Sequence, residues 1–144
     1  MLEVTFGVLA CIRDSRERVL LVKTTYGRNH WQLPGGYVEE HESPVAALRR
    51  ELREELQMEI EVGPLAGTYY KVYERNLSLV FFCSVMRGRL KPNNGEISEA
   101  AFFQAASLPD GLSARGRIIV NDCIRRERSP YLWVFSAPGT LVSP

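Results

Sequence analysis

Apolar residues recur along this chain with two different periods, and the change from one to the other marks its elements. Residues 4–12 mix β-branched, aromatic and aliphatic side chains and predict a strand. The polar run 13–18 predicts a turn and residues 19–22 a second strand, so the chain is expected to open with a hairpin. Residues 24–30 read as a polar loop, and Trp31-Gln32-Leu33-Pro34-Gly35-Gly36 as a short apolar stretch stopped by a Pro-Gly-Gly breaker. Over 43–57 the period lengthens. Val45, Leu48, Leu52 and Leu56 form a stripe at helical spacing. Ser43 suits the N-cap and Pro44 the first helical position, where its missing N–H costs nothing. After Glu59 the pattern returns to strands: Ile60, Val62, Tyr69, Tyr70, Val72 and Tyr73, then residues 77–85, with a hairpin break at Glu74-Arg75-Asn76. Residues 92–95 predict a turn, 101–103 a short strand, 108–111 another break, and 113–128 a second helix. The tail from Ser129 holds the aromatic cluster Tyr131, Trp133 and Phe135 and is assigned no element. Strands, helix, strands, helix, with no internal repeat, predict an α/β fold: a sandwich on a mixed central sheet.

Composition narrows the classes. With 144 residues, 45% hydrophobic and 24% charged, the chain fits one domain, 1–144, that buries a core without disulfides or structural metals. A formal net charge of +1 argues against a nucleic-acid polymer as partner, so local charge must carry any argument about phosphates. Cys11, Cys83 and Cys123 are too widely spaced for a disulfide framework or a metal site, and Cys11 and Cys83, each in an apolar run, are expected to be buried, reduced thiols. No apolar run approaches the roughly 20 residues that span a bilayer. The N-terminus lacks a basic leader. A cytoplasmic protein without a membrane partner is the expectation.

The chemistry is expected on the first helix. At about 100° per residue, Glu51, Glu54 and Glu55 span roughly 100° of arc, beside the leucine stripe and on an exposed acidic strip. Three like charges this close repel one another. Hard oxygen ligands in such a cluster suit magnesium or manganese. The competing reading is a solvated face carrying Glu–Arg pairs, such as Arg50 with Glu54. Two features favour the metal. Gly35 and Gly36 precede the helix, where a backbone can approach a ligand closely, and Glu42 brings another carboxylate to the helix entry.

These residues resemble the Nudix box. Gly36, Glu42, Arg50-Glu51-Leu52-Arg53-Glu54-Glu55 and Met58 occupy its fixed positions at the family spacing, and only Gln57 departs, where the family has a glycine. A spaced match of this length is far more specific than a lone glycine motif. The tail after Ser129 lies outside the resemblance. The resemblance implies an α/β/α sandwich and magnesium-dependent hydrolysis of a phosphoanhydride in a nucleoside diphosphate linked to another group. It implies that Glu54 and Glu55 bind the metal, with Glu51 a further ligand and Gly36 leaving room or adding its carbonyl. Arg50 would orient the carboxylates, and Glu42 would assist. The family often adds one more carboxylate from a later loop; Glu96 is preferred to Glu99. At Gln57 the family glycine implies a positive φ, and glutamine there would strain the cap or lengthen the helix slightly.

For substrate contacts, Arg28 is the best placed of Lys23, Arg28 and Lys71 to offset phosphate charge, and Tyr73 is a weaker candidate. His30 and Trp31 are weighed against ordinary surface and core roles. The expected partner is a small nucleotide, and a homodimer stays open. The alternative function is a non-catalytic module that senses a nucleotide such as ADP-ribose. An isomerase on the same fold would need further catalytic residues, for which there is no clear candidate.

Overall fold

The first strand, β1 (Thr5–Ile12), does not form a hairpin sheet with the second, β2 (Val19–Thr24). A tight turn joins them, with Asp14 N–H donating to the Arg18 carbonyl at 3.0 Å, but only an isolated bridge, Arg13 to Val19, follows. Both hydrogen-bonding edges of β1 are taken elsewhere. Strand β4 (Gly35–Tyr37) pairs antiparallel on one side, and β6 (Asn76–Arg87) pairs parallel along the whole of β1 on the other. Strand β2 instead lies between β3 (Trp31–Gln32) and β7 (Ile97–Phe103) in a three-stranded sheet. The computed structural model describes residues 1–25, 30–88, 90–92, 95–125 and 132–142.

The hairpin around Glu74 to Asn76 forms, β5 (Glu59–Lys71) returning antiparallel to β6, but Val72 and Tyr73, expected in the strand, lie with Glu74 in a 3-10 turn that ends at Arg75 in the left-handed region. The tail, for which the pattern assigns no element, adds β8 (Leu132–Ala137), parallel to β5, and β9 (Thr140–Val142), antiparallel to β8. Phe135 is fully buried there and stacks on Tyr69, ring centroids 6.1 Å apart. The main sheet therefore has the order β4-β1-β6-β5-β8-β9. It is mixed, and its two faces carry different helices. Helix α1 (Pro44–Leu56) packs Ala47, Leu48, Leu52 and Leu56 against Val8, Ala10 and Phe81. Helix α2 (Ala114–Ile124) packs Ile119 and Val120 against Tyr69, Val80 and Phe135. Alternation along β1 and β6 produces this, since successive side chains face opposite sides. The α/β/α sandwich is thus observed. Among the described residues, no helix is long and apolar enough to cross a membrane.

Three local details bear on the expectations. Helix α2 is shorter than the span 113–128; it runs from its Ser113 N-cap to Ile124, and residues 126–131 lie outside the described residues. The reduced state expected for Cys11 is not found: it forms a disulfide with Cys123 across 112 positions of sequence, with Cα atoms 6.0 Å apart. Spacing along the chain gave no sign of this, because β1 and α2 meet only when α2 lies across the sheet. Cys83 is the remaining free thiol, and burial pushes its pKa up to about 12. Alkylation of the denatured chain should therefore label one cysteine before reduction and three after, read by mass; three labels before reduction would show the thiols to be free.

Of the two outcomes expected at Gln57, the helix is not lengthened and the left-handed cap is kept. Gln57 ends α1 in the left-handed region at φ 55°, ψ 36°, and its N–H donates to the Arg53 carbonyl at 3.0 Å. The cap is made, but with a Cβ in a conformation that suits glycine. Gln57→Gly is expected to raise stability by about 0.5–1 kcal/mol, as judged from the penalty for non-glycine residues at positive φ. Urea unfolding of the two proteins checks this; an equal or lower midpoint in the glycine variant would show the position to be unstrained.

Candidate functional site

Helix α1 is aimed by its entry. The Ser43 hydroxyl accepts from Ala46 N–H at 3.1 Å, and Pro44 fits the first turn. With the leucine stripe in the core, the acidic arc turns toward β4, and there one expectation fails. Glu55 does not lie on an exposed strip; it is 5% exposed. The Gly35–Gly36 strand covers it, and the Gly35 N–H donates to Glu55 Oε2 at 3.3 Å. Glu54 stays on the outer side, half-exposed, and Glu51 is partly buried beside Glu55.

Both glycines are required by close approach. Gly35 has φ 150°, and a Cβ there would collide with the Val8 carbonyl. A Cβ on Gly36 would lie 2.6 and 2.7 Å from the two carboxylate oxygens of Glu51. Any side chain at position 36 would therefore displace Glu51.

Arg50 binds this cluster together. Its Nε and Nη2 donate to Glu42 at 3.2 and 2.7 Å, Nη1 to Glu51 at 2.9 Å and Glu54 at 3.3 Å, and Nη2 also to the Tyr37 carbonyl at 3.0 Å. The hydrogen bond to Glu42 is the main reason the guanidinium is held even more firmly protonated than usual, and it holds Glu42 below the ordinary carboxylate range. Among the described residues, no cation is paired with Glu55 in this way. Burial, then the charge of Glu51, push its pKa up to about 8, with Glu96 adding to the repulsion. Burial raises Glu51 too, against the pull of Arg50. Burial and mutual repulsion thus favour the protonated form in the metal-free pair, where a cation would serve.

Glu51, Glu55, Gly36 and Glu96 line one cavity of about 700 Å³ between the main sheet and α2. Glu96 sits in the turn before β7, exposed at the cavity edge, whereas Glu99 pairs with Lys23 along β7 and does not reach the cavity. His30, Trp31 and Lys71 also line it; Trp31 meets Phe103 edge-on at 4.9 Å. Tyr73 does not line the cavity but stands behind it, its hydroxyl accepting from Arg115 at 2.8 Å. Arg28 lies outside the described residues. The sequence reading missed Arg115, Asn76 and Ser78, which the fold brings to the cavity from α2 and β6. Arg115 carries no local signal, being one cation in a helical run, and Asn76 reads as part of a turn.

Among the described residues, no three His, Cys, Asp or Glu side chains converge as a finished cage. Magnesium does not need one: it keeps several waters and takes one or two carboxylates. The buried Glu51–Glu55 pair, short of positive charge and cleared of side chains by Gly36, fits that requirement.

The sequence profile of the NUDIX domain matches residues 2–123. The chain is 34% identical over 119 residues to 8-oxo-dGDP phosphatase NUDT18 of Homo sapiens, covering 77% of this chain and 36% of that protein. It is 32% identical over 105 residues to an ADP-ribose pyrophosphatase of Methanocaldococcus jannaschii, covering 68% of this chain and 61% of that protein. It therefore spans less than two thirds of either relative's length. Among solved structures, an ADP-ribose pyrophosphatase from Streptococcus suis superposes with a TM-score of 0.75 at 23% identity, over 92% of this chain and 98% of that one. A NUDIX hydrolase from Nitrosomonas europaea superposes with a TM-score of 0.78 at 20% identity, over 94% and 80%. At these identities the superpositions establish the fold alone.

Proposed function

The chain belongs to the NUDIX domain family, and from that premise we propose that it is a magnesium-dependent hydrolase of a phosphoanhydride in a nucleoside diphosphate linked to another group. The observation that carries this reading is the buried Glu51–Glu55 carboxyl pair at the cavity wall, covered by Gly35–Gly36 and ordered by Arg50.

Glu51 and Glu55 would hold the metal, manganese serving in its place, with Glu54 and the Gly36 carbonyl as further oxygen donors. Bound there, the ion supplies positive charge to the diphosphate oxygens and acidity to a bound water. The protein's part is positional. Arg50 and Glu42 keep the carboxylates in place through charge-assisted hydrogen bonds. Gly36 keeps their surroundings clear. Glu96, at the cavity edge, would accept the proton of the water that attacks phosphorus. The P–O bond of the anhydride breaks as the new one forms, and each product leaves as a phosphate ester or phosphate. Trp31 offers a ring face at the wall for a base or sugar.

The relatives named above suggest oxidised nucleotides and ADP-ribose as first candidates; nucleotide sugars and dinucleoside polyphosphates extend the set to other linked groups. A hydrolysis screen over these, with products identified by mass, tests the reading. Turnover should require magnesium or manganese and disappear in excess chelator, returning when the ion is restored. Full activity in chelator would overturn the metal-dependent mechanism.

A further inference from the structure

The cavity is chemically lopsided. Glu39, Glu51, Glu55 and Glu96 gather near β4 and α1, while the other end carries cations that the cleavage reading does not use. Lys71 closes β5 and is only 9% exposed; Arg115 stands in the first turn of α2; both line the cavity. Glu74 lies between them, 3.3 Å from Lys71 Nζ and 2.8 Å from Arg115 Nη1. Two cations share one carboxylate, leaving a formal charge of +1. Among the described residues, the neighbouring polar groups do not balance it. Ser78 Oγ donates to Asn76 Oδ1 at 2.9 Å, and Asn76 Nδ2 donates to Thr5 Oγ1 at 3.0 Å, so both are neutral and turned to each other or to β1. Burial, then the charge of Arg115, hold the Lys71 ammonium below its ordinary pKa, as expected of a buried cation with too little negative charge beside it.

This end is well separated from the carboxyl pair. The register runs Gly36 to Val8 to Leu79 to Thr68 across three strand spacings, and Lys71 is three residues further along β5. At about 4.8 Å per strand and 3.3 Å per residue, Gly36 and Lys71 are roughly 17 Å apart along the backbone surface. A diphosphate held at Glu51 and Glu55 leaves this end to the part of the substrate beyond it.

We propose that Lys71 and Arg115 form an anion subsite, and that the favoured substrates are nucleoside diphosphate derivatives whose remote end bears an additional phosphate monoester. The guanidinium fork and the ammonium suit a phosphate in complementary ways, one by paired hydrogen bonds and the other as a point charge. Tyr73 holds the guanidinium from behind. The orientation of the substrate rests on the hydrolase reading; the binding of the anion does not.

The test separates the two by using ligands with no anhydride to cleave. Titration calorimetry with the full chain compares AMP with adenosine 2′,5′-bisphosphate and adenosine 3′,5′-bisphosphate. At least one bisphosphate should bind about tenfold more tightly than AMP, the scale of a close charge pair in a partly desolvated site. Lys71→Met, which keeps the aliphatic stem packed, and Arg115→Gln should each bring that ratio toward one, while Arg115→Lys, which keeps the charge but not the fork, should keep part of it. Melting curves confirm that the variants are folded. A ratio below about threefold for both bisphosphates in the parent, or a ratio that survives both neutral substitutions, overturns the subsite. The hydrolysis screen reports separately on the anhydride reading, which stands or falls without it.

Discussion

Glu55→Gln is expected to cut turnover by about 100-fold or more, the lower end of what a positioned acid–base or charge-stabilising group supplies, while making the metal-free chain more stable. Both effects come from the same placement. Glu55 is buried against the Gly35 N–H and beside Glu51, with no cation of its own among the described residues, so its charge is costly until a divalent ion offsets it. Glutamine keeps the size and one acceptor for Gly35 but removes the charge. The pH dependence follows in sign. The folded pKa, about 8, lies above the value of an ordinary glutamate, so the fold favours the protonated acid. That contribution is complete below the unfolded pKa and is lost as pH rises toward 8. In chelator, the parent should therefore lose stability between mildly acidic and mildly alkaline pH, and Glu55→Gln should flatten that part of the profile. A ligand-sensing module that binds without metal would behave differently: nucleotide affinity would survive the change and there would be no turnover to lose. Turnover at limiting magnesium, magnesium affinity, and melting temperature against pH in chelator decide the matter. Parent-like turnover in the variant would remove Glu55 from the metal site.

Arg50→Ala should lower both activity and stability, which an exposed ion pair would not do. The guanidinium donates to Glu42, Glu51, Glu54 and the Tyr37 carbonyl at once, joining the helix to the loop that enters it. Removing it leaves Glu42 and Glu51, both mostly buried as side chains, without their principal counter-charge. A loss of about 2 kcal/mol is expected, from hydrogen bonds to charged groups discounted for the solvent that still reaches them. Because Glu51 is then free to shift, magnesium affinity should fall by about 10–100-fold, the range seen when groups that orient metal ligands are removed. Arg50→Lys should recover part of the stability and little of the affinity, since one ammonium cannot make the forked contacts. Chemical unfolding and magnesium titration of the two variants check this. Unchanged values in Arg50→Ala would make Arg50 an ordinary surface cation.

What the sequence determined on its own is local or periodic. Ser43, Pro44 and the leucine spacing set where α1 begins and which face it buries, because capping and helical period act within a turn or two. The same spacing brings Glu51 and Glu55 one turn apart, whereas the left-handed cap at Gln57 was implied by the family glycine that the residue replaces. The β5–β6 hairpin was legible from alternation around a polar break. Strand partners were not. A period of two says which face a side chain takes but not which neighbour the backbone finds, so β1 and β2, expected to pair, go to different sheets, and the aromatic tail adds strands that no local signal announced. The charge state of Glu55 also belongs to the tertiary structure. Its neighbours along α1 suggest an exposed strip; Gly35, twenty positions earlier, removes it from water, and desolvation depends on what covers a group rather than on its place in the helix. The Cys11–Cys123 bond and the Lys71–Glu74–Arg115 cluster have the same origin. Each joins α2 to the sheet or its hairpin, and only the packing of one on the other brings their side chains within reach.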